Sequence, residues 1–187
     1  VRITGGTWRS RRLRGPGRSL ALRPTPDALR ERGFAVLGDS VAGERFLDLY
    51  AGTGAVGFEA LSRGAHQVVF VERNRRAVSL IESNRTALSV DPNTARILVL
   101  PALRAIAELA RTGERFGLAW ADPPFECWSE GLETVARAFE TGILRPEGLA
   151  CLECPNKANL SERLPPFLRV ERDLKGGASR LVMIVRE

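Results

Sequence analysis

The sequence predicts an α/β fold: a seven-stranded, mostly parallel sheet with helices on both faces, preceded by a small N-terminal β-hairpin or arm. Three observations carry this. From Arg45 onward, short apolar runs alternate with segments of helical periodicity. Several of those runs are apolar throughout, which marks strands buried on both faces, as in a parallel sheet under two layers of helix. A glycine-rich turn joins the first such run to the helix after it.

Taken in order, residues 1–23 hold β-type fragments broken by Gly5-Gly6 and Gly15-Pro16-Gly17, which reads as a hairpin or extended arm. Thr25 has the character of an N-cap, with Pro26 at the first helical position and Asp27 in the first turn. That helix is expected to run to about Leu37. Strand Arg45–Tyr50 precedes helix Ala55–Arg63, which Gly64 stops. Strand Gln67–Val71 precedes a helix capped by Asn74 and running from Arg75 to about Leu88, buried through Ala77, Leu80, Ile81 and Leu88. Strand Arg96–Leu100 precedes helix Ala102–Arg111, and strand Phe116–Ala121 leads to helix Glu130–Thr141. Strand Leu149–Cys154 follows, and Phe167–Val170 and Arg180–Val185 read as two more strands around Gly176-Gly177. The chain thus divides into an arm over residues 1–24 and one larger domain over residues 25–187.

At 187 residues the chain is long enough to bury most of its apolar surface in one domain. It shows no apolar run near the roughly 20 residues needed to span a membrane and no secretory signal, so a cytoplasmic protein without a membrane partner is expected. Cys127, Cys151 and Cys154 do not make a disulfide framework. Cys151 and Cys154 are three apart on an expected strand and point to opposite faces, and the chain has one histidine, so no metal site is expected. Charge is unevenly placed. Residues 1–32 hold nine arginines against two acids, a net of +7, whereas the other 155 residues carry −1. A basic arm on a nearly neutral body implies a polyanionic partner.

The most informative tetrapeptide is Asp122-Pro123-Pro124-Phe125, which should lie at the carboxyl end of a buried strand, where open α/β sheets hold ligands. Two prolines fix the backbone and remove two donors. What remains is a row of acceptors beside a flat ring, suited to a planar group with an amino NH₂, such as a nucleobase. The second motif runs from Asp48 through Ala51, Gly52 and Gly54 to Gly57, with Glu72 ending the next strand twenty residues past Gly52. Its glycines satisfy the dinucleotide pattern G-x-G-x-x-G. However, Gly52 comes four residues after the strand-ending Asp48, and no hydride-transfer apparatus is evident.

An acid, three residues, Gly-x-Gly and a second acid at the next strand end resembles the class I, Rossmann-like S-adenosylmethionine-dependent methyltransferases. Asp-Pro-Pro-Phe on the fourth strand narrows the resemblance to the amino-group methyltransferases of that class. The blocks Val1-Arg2-Ile3-Thr4-Gly5-Gly6-Thr7-Trp8-Arg9, Arg23-Pro24-Thr25-Pro26-Asp27 with Arg30-Glu31, and Phe58–Ala65 are similar to the bacterial 16S ribosomal RNA guanine-N2 methyltransferase family (RsmD type). The resemblance covers essentially the whole chain.

It implies S-adenosylmethionine as cofactor, with Asp48 near its methionine end, Ala51, Gly52 and Gly54 allowing close backbone approach, and Glu72 taking both ribose hydroxyls. Pro101 stands where relatives often carry a polar residue that reads adenine, so the Ala102 N–H and Arg73 are assigned to that ring. Asp122 and the Pro123 carbonyl would hold the guanine amine and Phe125 would stack on the base, with Asp122 also bordering the cofactor. Thr25 and Arg23 are expected to border the cofactor or base pocket, and Arg9, Arg11, Arg12 and Arg14 to meet RNA phosphates. The implied partner is 16S rRNA in the small subunit or an assembly intermediate, and the implied state a monomer. Two rival readings are a DNA adenine-N6 methyltransferase and a non-catalytic RNA-binding module on the same fold. A protein-glutamine methyltransferase would leave the basic arm without a purpose.

Overall fold

The structure, a computed structural model, describes residues 1–15 and 27–187. Thr25, Arg18 and Arg23 therefore lie outside the described residues, as does the expected cap of the first helix. β1 (Arg45–Leu49), β2 (Gln67–Val71), β3 (Ala95–Leu98), β4 (Phe116–Ala121), β5 (Leu144–Pro155), β6 (Leu168–Gly176) and β7 (Ser179–Arg186) form one sheet in the order β3-β2-β1-β4-β5-β7-β6. β1 to β5 run parallel, and β7 pairs antiparallel with both β5 and β6. The winding reverses between β1 and β4, which leaves a crevice beyond their carboxyl ends.

Two cores flank the sheet. On one face α1 (Asp27–Leu37), α2 (Ala55–Ser62) and α3 (Arg75–Ala87) pack through Leu29, Phe34, Phe58 and Ile81. On the other, α4 (Ala102–Arg111) and α5 (Trp128–Glu140) pack through Ile106, Leu109, Leu132 and Val135. Every residue of β4 is buried, as a central parallel strand requires. Trp120 stacks on Phe34 at 5.3 Å between ring centroids. Gly33 lets α1 come this close, because a Cβ there would stand 2.6 Å from the Trp120 ring and 2.5 Å from Leu181. Cys151 and Cys154 fall in opposite cores, as their spacing on a strand dictates.

Beyond shifts of a single residue, the element boundaries depart from expectation in four places. β3 ends at Leu98, two residues short. β5 begins at Leu144, five residues early, because its register with β4 jumps from the pair Phe116–Leu144 to the pair Leu118–Leu149. The intervening Arg145, Pro146, Glu147 and Gly148 bulge out, so the proline and glycine cost the ladder little. β6 extends through a charged, mostly exposed run to Gly176, which is the composition of an edge strand. A one-turn 3₁₀ helix, Phe125–Cys127, precedes α5, which then begins at Trp128.

Residues 1–15 close through a single antiparallel bridge between Arg2 and Arg12, with Ile3 and Leu13 buried. This segment is docked on α2 and α3. The Thr7 N–H donates to the Ser62 carbonyl (2.7 Å), the Trp8 N–H to Ser62 Oγ (2.8 Å), and the Arg14 N–H to Asn84 Oδ1 (2.7 Å). Beneath it lies Glu59, fully buried. Its carboxylate accepts from the Thr4 N–H (2.7 Å), the Thr4 hydroxyl (2.8 Å) and Arg63 Nε (2.8 Å), and faces Arg30 Nε at 3.7 Å. Arg30, also fully buried, donates to the Arg2 carbonyl at 2.6 Å. Thr4, Arg30 and Glu59 thus serve as the joint between the N-terminal segment and the sheet.

Candidate active site

At the carboxyl ends of β1, β2 and β4 the structure forms a cavity of about 810 Å³. Asp48, Ala51, Gly52, Glu72, Arg73, Ala102, Asp122, Pro123 and Phe125 all line it. Gly54 stands behind the lining as the residue before α2, at φ +77°, where a Cβ would come 2.8 Å from the Phe58 ring. The next glycine, Gly57, sits on α2 over Phe70, whose ring leaves no room for a Cβ. One glycine makes the turn and the other brings helix to strand. Gly52 itself lies at φ +55°, in the left-handed region that glycine adopts without strain.

Glu72 follows β2 with both carboxylate oxygens engaged: Oε2 accepts from the Gly52 N–H at 2.9 Å and Oε1 from the Asn74 N–H at 2.7 Å. The acid is thereby fixed against the glycine turn, and each oxygen keeps a second lone pair. Pro101 leads directly into α4, so Ala102 is its first residue, where a helix leaves its backbone N–H groups without intrahelical partners.

Asp48 is buried, and Oδ2 accepts from the Gly57 N–H at 2.9 Å. Burial pushes its pKa up to about 8, against the lowering effect of the Gly57 bond, and the charge of Glu72 adds to the rise. Because the folded pKa lies above the unfolded one, Asp48 supports the fold fully below about pH 4, and that support is lost as pH rises through about 8. Asp48→Asn keeps a carbonyl acceptor for Gly57 and removes the titration. Its stability should match the parent's in acid and exceed it at about pH 9, with the gap opening between about pH 4 and 8 in urea denaturation.

The tetrapeptide adopts the stiff form its prolines dictate. Pro123 is buried against Gly131 of α5, where a Cβ would meet its ring at 2.5 Å, while Pro124 is exposed and extended. The Pro124 carbonyl accepts from the Cys127 N–H at 2.7 Å. It therefore closes the 3₁₀ turn, with one lone pair of that carbonyl already engaged. Asp122 is half-buried, its N–H directed at the Leu49 carbonyl across the crevice (3.4 Å).

Among the lining residues that a reading of the sequence does not assign to the site, three carry polar groups that matter to it. Tyr50 follows β1 at φ +62°, a conformation that costs a non-glycine residue about 1–3 kcal/mol and is found at ligand sites. Its hydroxyl meets Thr134 Oγ1 at 3.0 Å, and burial raises its pKa to about 12. Glu153 and Ser179 line the wall formed by β5 and β7. Nothing in the periodicity marks any of them: Tyr50 and Glu153 lie within strand-like runs, and Ser179 in a turn. Arg9, Arg11, Arg12 and Arg14 are exposed on the N-terminal segment, apart from the cavity. Among the described residues no cluster of His, Cys, Asp or Glu could hold a metal, and no helix is long and apolar enough to cross a membrane.

Comparison with known proteins agrees with this arrangement. The Escherichia coli K12 protein named ribosomal RNA small subunit methyltransferase D is 36% identical over 155 residues, covering 82% of this chain and 74% of its own. The Haemophilus influenzae protein of the same name is 31% identical over 153 residues, 82% of this chain and 78% of its own. Among solved structures, Escherichia coli yhhF aligns with 100% of this chain and 98% of its own at 28% identity, with a TM-score of 0.81. Thermus thermophilus TTHA0928 does so with 100% and 99% at 30% identity, with a TM-score of 0.80. Residues 1–184 match the family described as "Conserved hypothetical protein 95". From its N-terminal segment to its last strand, the chain belongs to that family, together with the ribosomal RNA small subunit methyltransferases D.

Proposed function

We propose that the protein transfers a methyl group from S-adenosylmethionine to the exocyclic N2 of a guanine in 16S ribosomal RNA. The observation that carries this reading is one cavity in which the Gly52 turn, Glu72 and Asp122 meet, in a chain so similar to methyltransferases D. The residues present fit the cofactor. The volume of about 810 Å³ suits a nucleoside-sized ligand with a base beside it. Gly52 and Ala51 offer backbone without bulk, the spare lone pairs of Glu72 suit a pair of ribose hydroxyls, and Asp48 suits a cationic group, whose charge would draw its raised pKa back down. When bound, S-adenosylmethionine supplies an electrophilic methyl group on its sulfonium.

The chain's own residues do the rest. A guanine amine is a poor nucleophile, because its lone pair is delocalised into the ring. Asp122 and the Pro123 carbonyl accept its hydrogens and orient the lone pair, and Asp122, directly or through water, takes the proton that leaves. Phe125 stacks on the base, a contact worth about 1–3 kcal/mol. Positioning and a fixed field supply most of the acceleration. A base in a helix would have to be flipped out first, which favours a loop or single-stranded target. The exposed arginines of the N-terminal segment neutralise phosphates, so affinity falls as salt rises.

The test uses S-adenosylmethionine labelled in its methyl group and offered with small ribosomal subunits, free 16S RNA or DNA, each lacking the modification. Label in N2-methylguanosine from ribosomal substrate is the expected result. Label in N6-methyladenine would keep the chemistry and overturn the substrate, and absence of cofactor binding would overturn the reading as a whole.

A further inference from the structure

Glu153 is a buried carboxylate, 3% exposed, that the steps above do not use. It lies on β5, the strand beside β4. The last pair in that register is Ala121–Leu152, so Glu153 stands level with Asp122 at the carboxyl edge of the sheet. Side chains alternate along a strand, which puts Glu153 on the face of Cys151, toward the core that contains α1. Across to β7 it opposes Leu181. Ser179, 2% exposed, donates its hydroxyl to Glu153 Oε1 at 2.8 Å. Both residues line the cavity that Asp122 and Phe125 also line. Two acids from adjacent strands thus meet one cavity at the same level, the second of them with one oxygen held in place.

We propose that Glu153 is a specificity-determining residue that reads the Watson–Crick edge of the target base, accepting a hydrogen bond from guanine N1–H. This rests on the methyl-transfer reading above. Guanine presents two neighbouring donors on that edge, N1–H and the N2 amine. A carboxylate offers acceptors only. With Asp122 assigned to the amine, the carboxylate on the next strand is placed for the neighbouring N1–H. A purine with a bare N1 would instead set a lone pair against the carboxylate. Ser179 acts as a positioning residue by holding Oε1.

The test compares guanine with 2-aminopurine, which keeps the 2-amino group and lacks the N1 hydrogen, placed at the modified position of otherwise identical RNA. That position is first mapped by the labelling experiment. The parent enzyme should prefer guanine by roughly 10- to 150-fold in kcat/KM, the range for one hydrogen bond to a charged group. Glu153→Gln, whose amide can donate to a bare N1, should narrow or reverse that preference, with cofactor affinity unchanged. An equal loss on both bases in Glu153→Gln would overturn the proposal and leave methyl transfer standing. Equal use of both bases by the parent enzyme would also overturn it, and that comparison needs no variant to fold. Transfer by the parent to neither base, with cofactor bound, would overturn the underlying reading as well.

Discussion

Asp122→Ala is expected to lower the rate of methyl transfer by about 10³-fold while cofactor affinity changes little. The two effects separate if, as proposed, Asp122 serves the reacting amine, since the glycine turn, Asp48 and Glu72 belong to the neighbouring strands β1 and β2 and the turns that follow them. Removing a preorganised electrostatic partner typically costs about 10²–10³ in kcat, and losing a proton acceptor about 10²–10⁴. Their overlap in one side chain sets the magnitude. Asp122→Asn divides it further, since an amide keeps one acceptor and loses the charge. Single-turnover rates with saturating cofactor would measure both variants. Near-parental turnover in Asp122→Ala would sink the mechanism, and near-parental turnover in Asp122→Asn alone would show that hydrogen bonding suffices.

The largest stability effect should come from a residue well away from that chemistry. Glu59→Ala removes the carboxylate that Thr4 and Arg63 contact and that faces buried Arg30. Breaking a buried pair from one side costs about 3–5 kcal/mol, because the opposite charge stays in a low dielectric. That is a large share of the roughly 5–15 kcal/mol that holds a domain folded. The exposed pair Arg111–Glu108 is the natural control, since Glu108→Ala should leave the denaturation midpoint where it was. Urea titrations followed by far-ultraviolet circular dichroism would measure both. Similar midpoints for the two variants would show that Glu59 does not hold the N-terminal segment in place.

The parts of this fold that can be read in the sequence are those where one physical demand dominates. Val68–Val71 and Phe116–Ala121 are buried on both faces, so they are apolar without interruption and hardly admit another reading. Where two demands compete, the pattern misleads. Arg145–Gly148 looks like a loop because a bulge tolerates the proline and glycine that a regular strand rejects. The second half of β6 reads as coil because an edge strand is kept charged to prevent further pairing.

The site divides in the same way. Asp48, Gly52, Glu72 and Asp122 sit at or just past strand ends with fixed spacing, and spacing is visible in a sequence. Glu153 and Ser179 meet only because β7 folds back between β5 and β6, a pairing that local pattern does not encode. Glu59 is visible in the sequence only as part of a resemblance block. Its burial beneath the N-terminal segment supplies the physical reason for that block.

The position of β7 also sets when the pocket can be completed during synthesis of the chain. The strands that lead to Asp48, Glu72 and Asp122 are made first and can pair with one another as they emerge. The strand that begins at Ser179 is the last of the seven to be made, yet it belongs between two strands already present. Until it inserts, β5 has one neighbour, β6 has none, and the wall that carries Glu153 lacks the Ser179 hydroxyl. A nascent chain therefore holds the early strands of its pocket long before it holds the whole. Closing the sheet across this long sequence separation is the step that brings Ser179 to Glu153 and completes the pocket wall.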